Sequence, residues 1–164
     1  METKQSVSEI LADIRQNWPE WDTPETAVML GIIRLNDLVK ERNIRILNGF
    51  GLTQAGFEAL VTLRAQPVPR RMTPTDLYQA ILITSGGMTK VLKQLEEEGD
   101  IVREDHSSDK RSRYVRLTSA GEKRAEAVMT AVSEDEKRAL QGALSDQQIA
   151  QLGKVLLRTL EKLE

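Results

Sequence analysis

Four basic residues lie between positions 110 and 116, behind a turn-rich stretch. Val115 and Leu117 alternate with Arg116, which is the period of a half-buried strand, so the segment predicts a β-hairpin with a basic tip. Such a tip is typical of a surface that binds the phosphates of DNA. A solvated surface without function is the alternative, and for the segment alone it stays open. The four residues are Lys110, Arg111, Arg113 and Arg116.

Small and hydroxyl-bearing residues precede this hairpin, at the predicted start of a helix. Glycine inside a helix costs about 1 kcal/mol relative to alanine, so Gly86 and Gly87 need a reason. Small residues beside hydroxyls would admit a DNA duplex to the first turn of the helix. The alternative is that the glycines only allow tight packing on a neighbour. The predicted DNA contacts here are Thr84, Ser85, Gly86, Gly87, Thr89, Lys90, Lys93 and Gln94, together with Thr73.

Two short helices are predicted to position these side chains. Thr73 is an N-cap, Pro74 suits the first helical position, and Asp76 places a carboxylate in the first turn. The second helix starts around residues 84–85 and ends at Gly99, a left-handed terminator. Its apolar residues recur every three or four positions, so one face is buried and the opposite face is free to bind. A helix-turn-helix followed by a hairpin wing is therefore predicted.

Five further helices are predicted, and capping residues mark their starts. The linker at 66–71 is stiffened by two prolines, and its Arg70 and Arg71 either touch the DNA backbone or are a solvated pair. The fold class is mainly α with a small β-hairpin wing (α+β). The five helices start at Ser6 (to about Asn17), Thr23 (to about Leu47), Thr53 (to about Arg64), Thr118 (to about Leu140) and Ser145.

The last helix carries an apolar stripe at spacings of three and four residues. Such a stripe is too apolar to face water on a terminal helix, so it requires a partner. Coiled-coil-like packing against N-terminal helices, its own and those of a second copy, would bury it. The stripe consists of Ile149, Leu152, Leu156, Leu160 and Leu163.

Composition limits the functions to consider. The chain has 164 residues, 40% of them hydrophobic and 29% charged, with a net charge of −2 and no cysteine, so disulfides and thiol redox sensing are excluded. It lacks an apolar run long enough to span a membrane, and a cytoplasmic location is expected. His106 is the only histidine, and no phosphate loop is present, so no enzyme activity, metal or cofactor is expected.

These features together resemble the MarR family of bacterial transcription regulators. The resemblance covers roughly residues 26–163 and rests on the helix pair, on the wing run from Asp109 to Ser112, and on Leu117, Thr118 and Gly121. It implies a homodimer whose terminal helices interlock and whose two winged lobes bind a pseudo-palindrome in double-stranded DNA. Arg111, oriented by Asp109, is then expected in the minor groove, with Lys110 and Arg113 on phosphates.

The whole chain is expected to form one domain. Residues 53–118 are the predicted DNA-binding lobe, and residues 1–50 and 119–164 the predicted dimerisation region. The expected function is a ligand-responsive repressor. A winged helix used only for protein interaction, without specific DNA binding, is the alternative, but it leaves the basic wing unexplained.

The N-terminal arm resembles the urate-responsive branch of the family. A buried urate anion needs a cation, and Gln79 and Val91 stand where those relatives have arginine. Arg34 or Lys90 could supply a cation from elsewhere. The expected effector is small and largely apolar or aromatic, with a weakly acidic group allowed, rather than urate. Its predicted contacts are Trp18, Trp21, Met29 and Leu77.

Overall fold

A computed structural model describes residues 4–81, 87–105 and 113–164. Within these ranges the chain forms seven α-helices, a 3₁₀ turn at Pro19–Trp21 and three strands. The elements are α1 (Val7–Asn17), α2 (Pro24–Gly49), α3 (Gln54–Ala65), β1 (Arg71–Met72), α4 (Pro74–Ala80), α5 (Met88–Glu97), β2 (Ile101–Asp105), β3 (Arg113–Leu117), α6 (Ser119–Gln141) and α7 (Asp146–Leu163).

The six helix starts predicted from capping residues are confirmed, because capping is a local property of the sequence. Ser6 and Glu9 form a reciprocal capping box on α1, and Ser145 and Gln148 form another on α7. Each of the threonines before α3, α4 and α6 accepts a hydrogen bond from a backbone N–H two positions inside its helix. Each such cap is worth about 1 kcal/mol relative to alanine. In the described ranges, no helix is both long and apolar enough to cross a membrane.

Internal contacts divide the chain into two units, unit 1 (Met1–Arg45) and unit 2 (Ile46–Glu164). In unit 1, Lys4 lies 3.3 Å from the carboxylate of Asp37 on α2. At the joint before α2, Arg15 lies 2.7 Å from Asp22, and the rings of Trp18 and Trp21 are 5.5 Å apart. The predicted end of the first helix at about Asn17 and the restart after Thr23 are confirmed.

Unit 2 holds the buried core of the described structure, built where α3, α4, α5 and α6 meet one face of the sheet. Burial of each large aliphatic side chain contributes about 1.5–3 kcal/mol relative to exposure. The largest fully buried side chains are Leu47, Leu60, Leu63, Leu77, Leu92, Leu95, Ile101, Val115, Leu117, Val128 and Val132.

The antiparallel sheet has the order β1-β3-β2, so the predicted hairpin gains a third strand. Ile101 pairs with Leu117, and on the other side of β3 Arg71 pairs with Arg116. The end of the predicted 66–71 linker is therefore β1. This strand could not be predicted, because two residues are too few to show the alternation of a strand and because β1 pairs with a segment that is distant in the sequence.

The division between lobe and dimerisation region remains a prediction. Helices α6 and α7 belong to the same unit as the winged helix, and the boundary at 45/46 falls inside α2. Both α2 and α7 carry large apolar side chains that are 40% or more exposed in the single chain. Those on α7 include Leu152, Leu156, Leu160 and Leu163 of the predicted stripe.

Candidate nucleic-acid interface

Helix α4 begins with a tight N-terminal cap. The backbone N–H of Asp76 donates to the Thr73 hydroxyl at 3.1 Å, and that hydroxyl donates to the Asp76 carboxylate at 2.7 Å. Leu77 is fully buried, whereas Tyr78 is 48% exposed. The cap predicted for Thr73 is confirmed, so a DNA contact by this residue would have to share its hydroxyl with the helix.

Gly87 lies at the N-cap of α5 and not inside the helix, which corrects the predicted start at residues 84–85. Its φ of 115° is a conformation that residues with a Cβ rarely adopt. A Cβ placed there would meet nothing within 4 Å, so tight packing does not explain this glycine. The positive φ of the backbone explains it instead. The predicted contacts Thr84, Ser85 and Gly86 lie outside the described residues.

One face of α5 is polar and open, and the opposite face is buried. Leu92 and Leu95 are 2% and 1% exposed, whereas Thr89, Lys90 and Lys93 are exposed. These three lie in the first two turns, where a recognition helix meets base edges. Gln94 is half-buried, and its amide donates to the Glu98 carboxylate at 2.8 Å. The structure thus places the predicted residues Thr89, Lys90 and Lys93 together.

The last turn of α5 is acidic, but each carboxylate meets a different cation. Glu96 lies 2.9 Å from Arg103 of β2, and Glu97 lies 3.5 Å from Lys93 of the same helix. Glu98 lies 2.6 Å from Arg124 of α6. The three carboxylates point in different directions because consecutive helix positions diverge around the axis. They therefore do not oppose DNA approaching the first two turns.

One basic residue of the wing forms an ion pair within the sheet. Arg116 lies 2.5 Å from Glu104 on the neighbouring strand, so it does not serve as an open phosphate contact. Asp109, Lys110 and Arg111 lie outside the described residues, and Arg113 is exposed at the start of β3. The phosphate contacts predicted for Lys110 and Arg113 and the minor-groove contact predicted for Arg111 therefore stay predictions.

Arg71, for which the sequence allows either a DNA contact or a solvated position, lies beside an aromatic ring and a carboxylate. Its guanidinium lies 4.4 Å from the ring centroid of Tyr114 and 3.8 Å from the Glu104 carboxylate. It is exposed on β1, beside the wing. The neighbouring Arg70 instead forms a part-buried ion pair with Glu122 of α6. The interpretation as a solvated pair is therefore wrong, and of these two arginines it is Arg71 that presents its cation next to the wing.

The predicted effector contacts have different surroundings. Trp18, Trp21 and Met29 are each more than half exposed on unit 1. Leu77 is buried in the core of unit 2, and its contact with an effector remains a prediction.

Open concavities lie on the described surface of unit 2. A volume of about 600 Å³ between α3 and α6 is lined mainly by apolar atoms, with the Arg64–Glu126 ion pair at 2.6 Å on its wall. A smaller volume of about 270 Å³ lies beside α4 and α5 and includes Tyr78, Thr89 and Arg103.

Comparison with known proteins is consistent with this geometry. Residues 52–112 match the model of the MarR family. The transcriptional regulator PecS of Dickeya dadantii (strain 3937) is 27% identical over 115 residues, which are 70% of this chain and 69% of PecS. These similar proteins are transcription regulators and not enzymes.

Two solved structures share the fold. Sco3205, a MarR family transcriptional regulator from Streptomyces coelicolor, was solved in complex with DNA. It superposes with a TM-score of 0.74 at 27% identity, covering 88% of this chain and 91% of its own. NadR, solved in complex with 4-hydroxyphenylacetate, gives a TM-score of 0.64 at 27% identity, covering 84% of this chain and 94% of its own.

Proposed function

Because residues 52–112 match the model of the MarR family, we propose that this protein is a DNA-binding transcriptional regulator of that family, and specifically a repressor that binds a pseudo-palindromic operator as a homodimer. The observation that carries the proposal is the polarity of α5. Its first two turns expose Thr89, Lys90 and Lys93, and its acidic last turn is neutralised by ion pairs. The relative solved with DNA supports the same use of the fold.

Each part of the interface has its own role in this proposal. The first turns of α5 enter the major groove and contact base edges, in continuity with the residues ahead of Gly87. Arg111, oriented by Asp109, reaches the minor groove, while Lys110 and Arg113 bind phosphate. Arg71 extends this basic surface from β1, held against the Tyr114 ring.

A binding experiment tests the proposal directly. Duplexes that the protein selects from a randomised pool are measured by fluorescence anisotropy over a range of salt concentrations. Lys90→Ala and Arg111→Ala should each weaken binding. If the residue contacts a base, the loss should be about 1–3 kcal/mol for the selected duplex. If it contacts a phosphate, the slope of log affinity against log salt concentration should become smaller by about 1. Lys154→Ala, on an exposed position of α7, is the matched control and should bind like the wild type.

The alternative is a winged helix that only binds other proteins. It predicts no enrichment of any duplex and no linear fall of log affinity with log salt concentration. Selection of one sequence with a steep salt slope would exclude it. Absence of both would instead overturn the regulator proposal.

The effector that we propose is a small aromatic molecule that carries at most one weakly acidic group. The NadR complex with 4-hydroxyphenylacetate supports this chemistry. On unit 1, Trp18, Trp21 and Met29 supply exposed aromatic and thioether surface of the kind that such a ring needs. The effector must prefer the protein state that misfits the operator, because equal affinity for both states changes nothing.

Tryptophan fluorescence during titration with aromatic carboxylates and with urate tests the effector proposal. Micromolar binding of an aromatic carboxylate should release the selected duplex, and Trp18→Ala should abolish the response without changing DNA affinity in its absence. Release by micromolar urate instead would overturn the chemistry proposed, and an unchanged response in Trp18→Ala would remove the arm from the site.

A further inference from the structure

One guanidinium on α6 joins three separate segments of unit 2. The Nη1 atom of Arg124 donates to Glu98 at 2.6 Å and also to the carboxylate of Asp100. Its Nη2 atom donates to the backbone carbonyl of Phe50 at 2.6 Å. Arg124 therefore connects the residue after α2, the end of α5 and the residue before β2.

The joint around this guanidinium leaves little room for adjustment. Asp100 is 3% exposed, and a Cβ on Gly121 would lie 2.0 Å from the Asp100 carbonyl oxygen. The Thr118 hydroxyl donates to the Gly99 carbonyl at 2.7 Å, and the Thr118 N–H donates to the Asp100 carbonyl at 2.9 Å. The start of α6 is thus fixed on the end of α5.

The charge of Arg124 also compensates a feature of α5. The last turn of α5 contains no basic residue, although the negative end of the helix dipole favours a cation there. Arg124 and Arg103 supply that positive charge from α6 and β2. Arg124 is the more constrained of the two, because it also bonds the buried Asp100 and a backbone carbonyl.

The joint is remote from the predicted DNA-contacting end of the same helix. Nine residues separate Glu98 from Thr89, which is about 13 Å along a helix axis. A small rotation about a fixed end moves the far end most. A guanidinium that fixes the last turn therefore sets the direction of the first turns.

We propose that Arg124 is a positioning residue for DNA recognition: it orients α5 from its C-terminal end and does not contact DNA itself. This inference rests on the proposed function, since it assigns Arg124 a part in that same interface. Its signature is a loss of sequence discrimination without a loss of general affinity. Non-specific binding depends on phosphate charge, whereas base reading needs exact placement of the helix.

The test compares affinities of full-length wild type, Arg124→Lys and Arg124→Gln for a duplex selected by the wild type and for a scrambled duplex of equal composition. Affinity for the selected duplex should fall about tenfold, which is the loss that one mismatched base pair typically causes. Affinity for the scrambled duplex and both salt slopes should stay unchanged. Arg64→Gln is the matched control, since Arg64 pairs with Glu126 of α6 but has no bond to α5.

Folding is followed by circular dichroism and thermal melting, and Glu98→Gln replaces Arg124→Gln if the latter is unfolded. Equal losses for both duplexes that follow the folded fraction would mean a structural role only and would overturn the inference. A salt slope lower by about 1 would show that Arg124 contacts phosphate, which also overturns it. Unchanged affinities in folded variants overturn this inference alone. Wild-type protein that binds neither duplex overturns the proposed function and this inference with it.

Discussion

Gly87 and Gly121 each lie at a position that favours glycine over residues with a Cβ, but for different physical reasons. At Gly87 the backbone has a φ of 115°, and the surrounding space is open. At Gly121 the backbone is helical, and the space is filled by the carbonyl of Asp100. Sequence reading noticed both residues, the first as a place where DNA approaches and the second as part of a family pattern. The structure shows a close approach at Gly121, between two parts of the same chain, and the approach of DNA near Gly87 stays a prediction.

Gly121→Ala should destabilise the folded state by about 1–3 kcal/mol, because the added methyl group must displace backbone atoms of Asp100. Urea unfolding followed by circular dichroism measures the change. Gly49→Ala at the end of α2 is the control, since a Cβ there meets nothing within 4 Å. It should be neutral or stabilising by up to about 1 kcal/mol, as expected for alanine in a helix. Equal stability of Gly121→Ala and wild type would show that α6 can move away from Asp100.

At the scale of elements, the sequence predicted what depends on neighbouring residues. Helix starts were located by Ser6, Thr53, Thr73, Thr118 and Ser145, since each cap bonds a backbone N–H within its own first turn. The faces of α5 were also predicted correctly, because burial follows the helical period.

Contacts between distant segments were not predictable from such patterns. The strand β1 exists because Arg71 and Met72 pair with β3, and no signal within two residues indicates this. The cations that neutralise Glu96 and Glu98 come from β2 and α6. The sequence predicts Arg116 as one of the basic residues of the wing, but in the structure Arg116 forms an ion pair with Glu104 on the adjacent strand. The sequence therefore predicted which residues belong to the candidate site, but only some of their contacts.

The last turn of α5 should make folding stability depend on pH. The hydrogen bond from Gln94, together with Arg124, holds the pKa of Glu98 below its usual value of 4.5, although partial burial acts in the opposite direction. Because the pKa is lower in the folded state, this stabilisation is fully present above pH 4.5 and is lost as the pH falls through the folded pKa.

Urea unfolding of wild type and Glu98→Gln between neutral pH and pH 3 isolates this effect. The variant should be less stable near neutral pH, and the difference should shrink as the pH falls, because a protonated Glu98 resembles glutamine. Glu9 also has a lowered pKa, caused by the backbone N–H of Ser6, and the variant retains that contribution. A stability difference independent of pH would show that Glu98 carries no charge-dependent role.

At the scale of the whole molecule, the single chain leaves large apolar surfaces on α2 and α7. Val28, Ile32 and Leu35 on α2 are between 45% and 58% exposed, and Leu152, Leu156 and Leu160 on α7 are between 40% and 49% exposed. Exposed apolar surface of this kind marks an interaction site. Two copies of one chain that bury these faces would hold two α5 helices at a fixed separation, which a pseudo-palindromic operator requires.

Leu156→Asp should therefore dissociate the homodimer, because an unpaired carboxylate in an apolar seam is costly to bury. Leu156 is 44% exposed in the single chain, so the substitution leaves the core of the fold intact. Sedimentation velocity should show monomers, and affinity for the selected duplex should fall steeply, since the two half-sites no longer bind as one linked unit. Lys154→Asp introduces the same group on the opposite side of α7 and should remain dimeric. A Leu156→Asp protein that stays dimeric would place the interface elsewhere, and a monomer with full operator affinity would show that one winged lobe is sufficient for recognition.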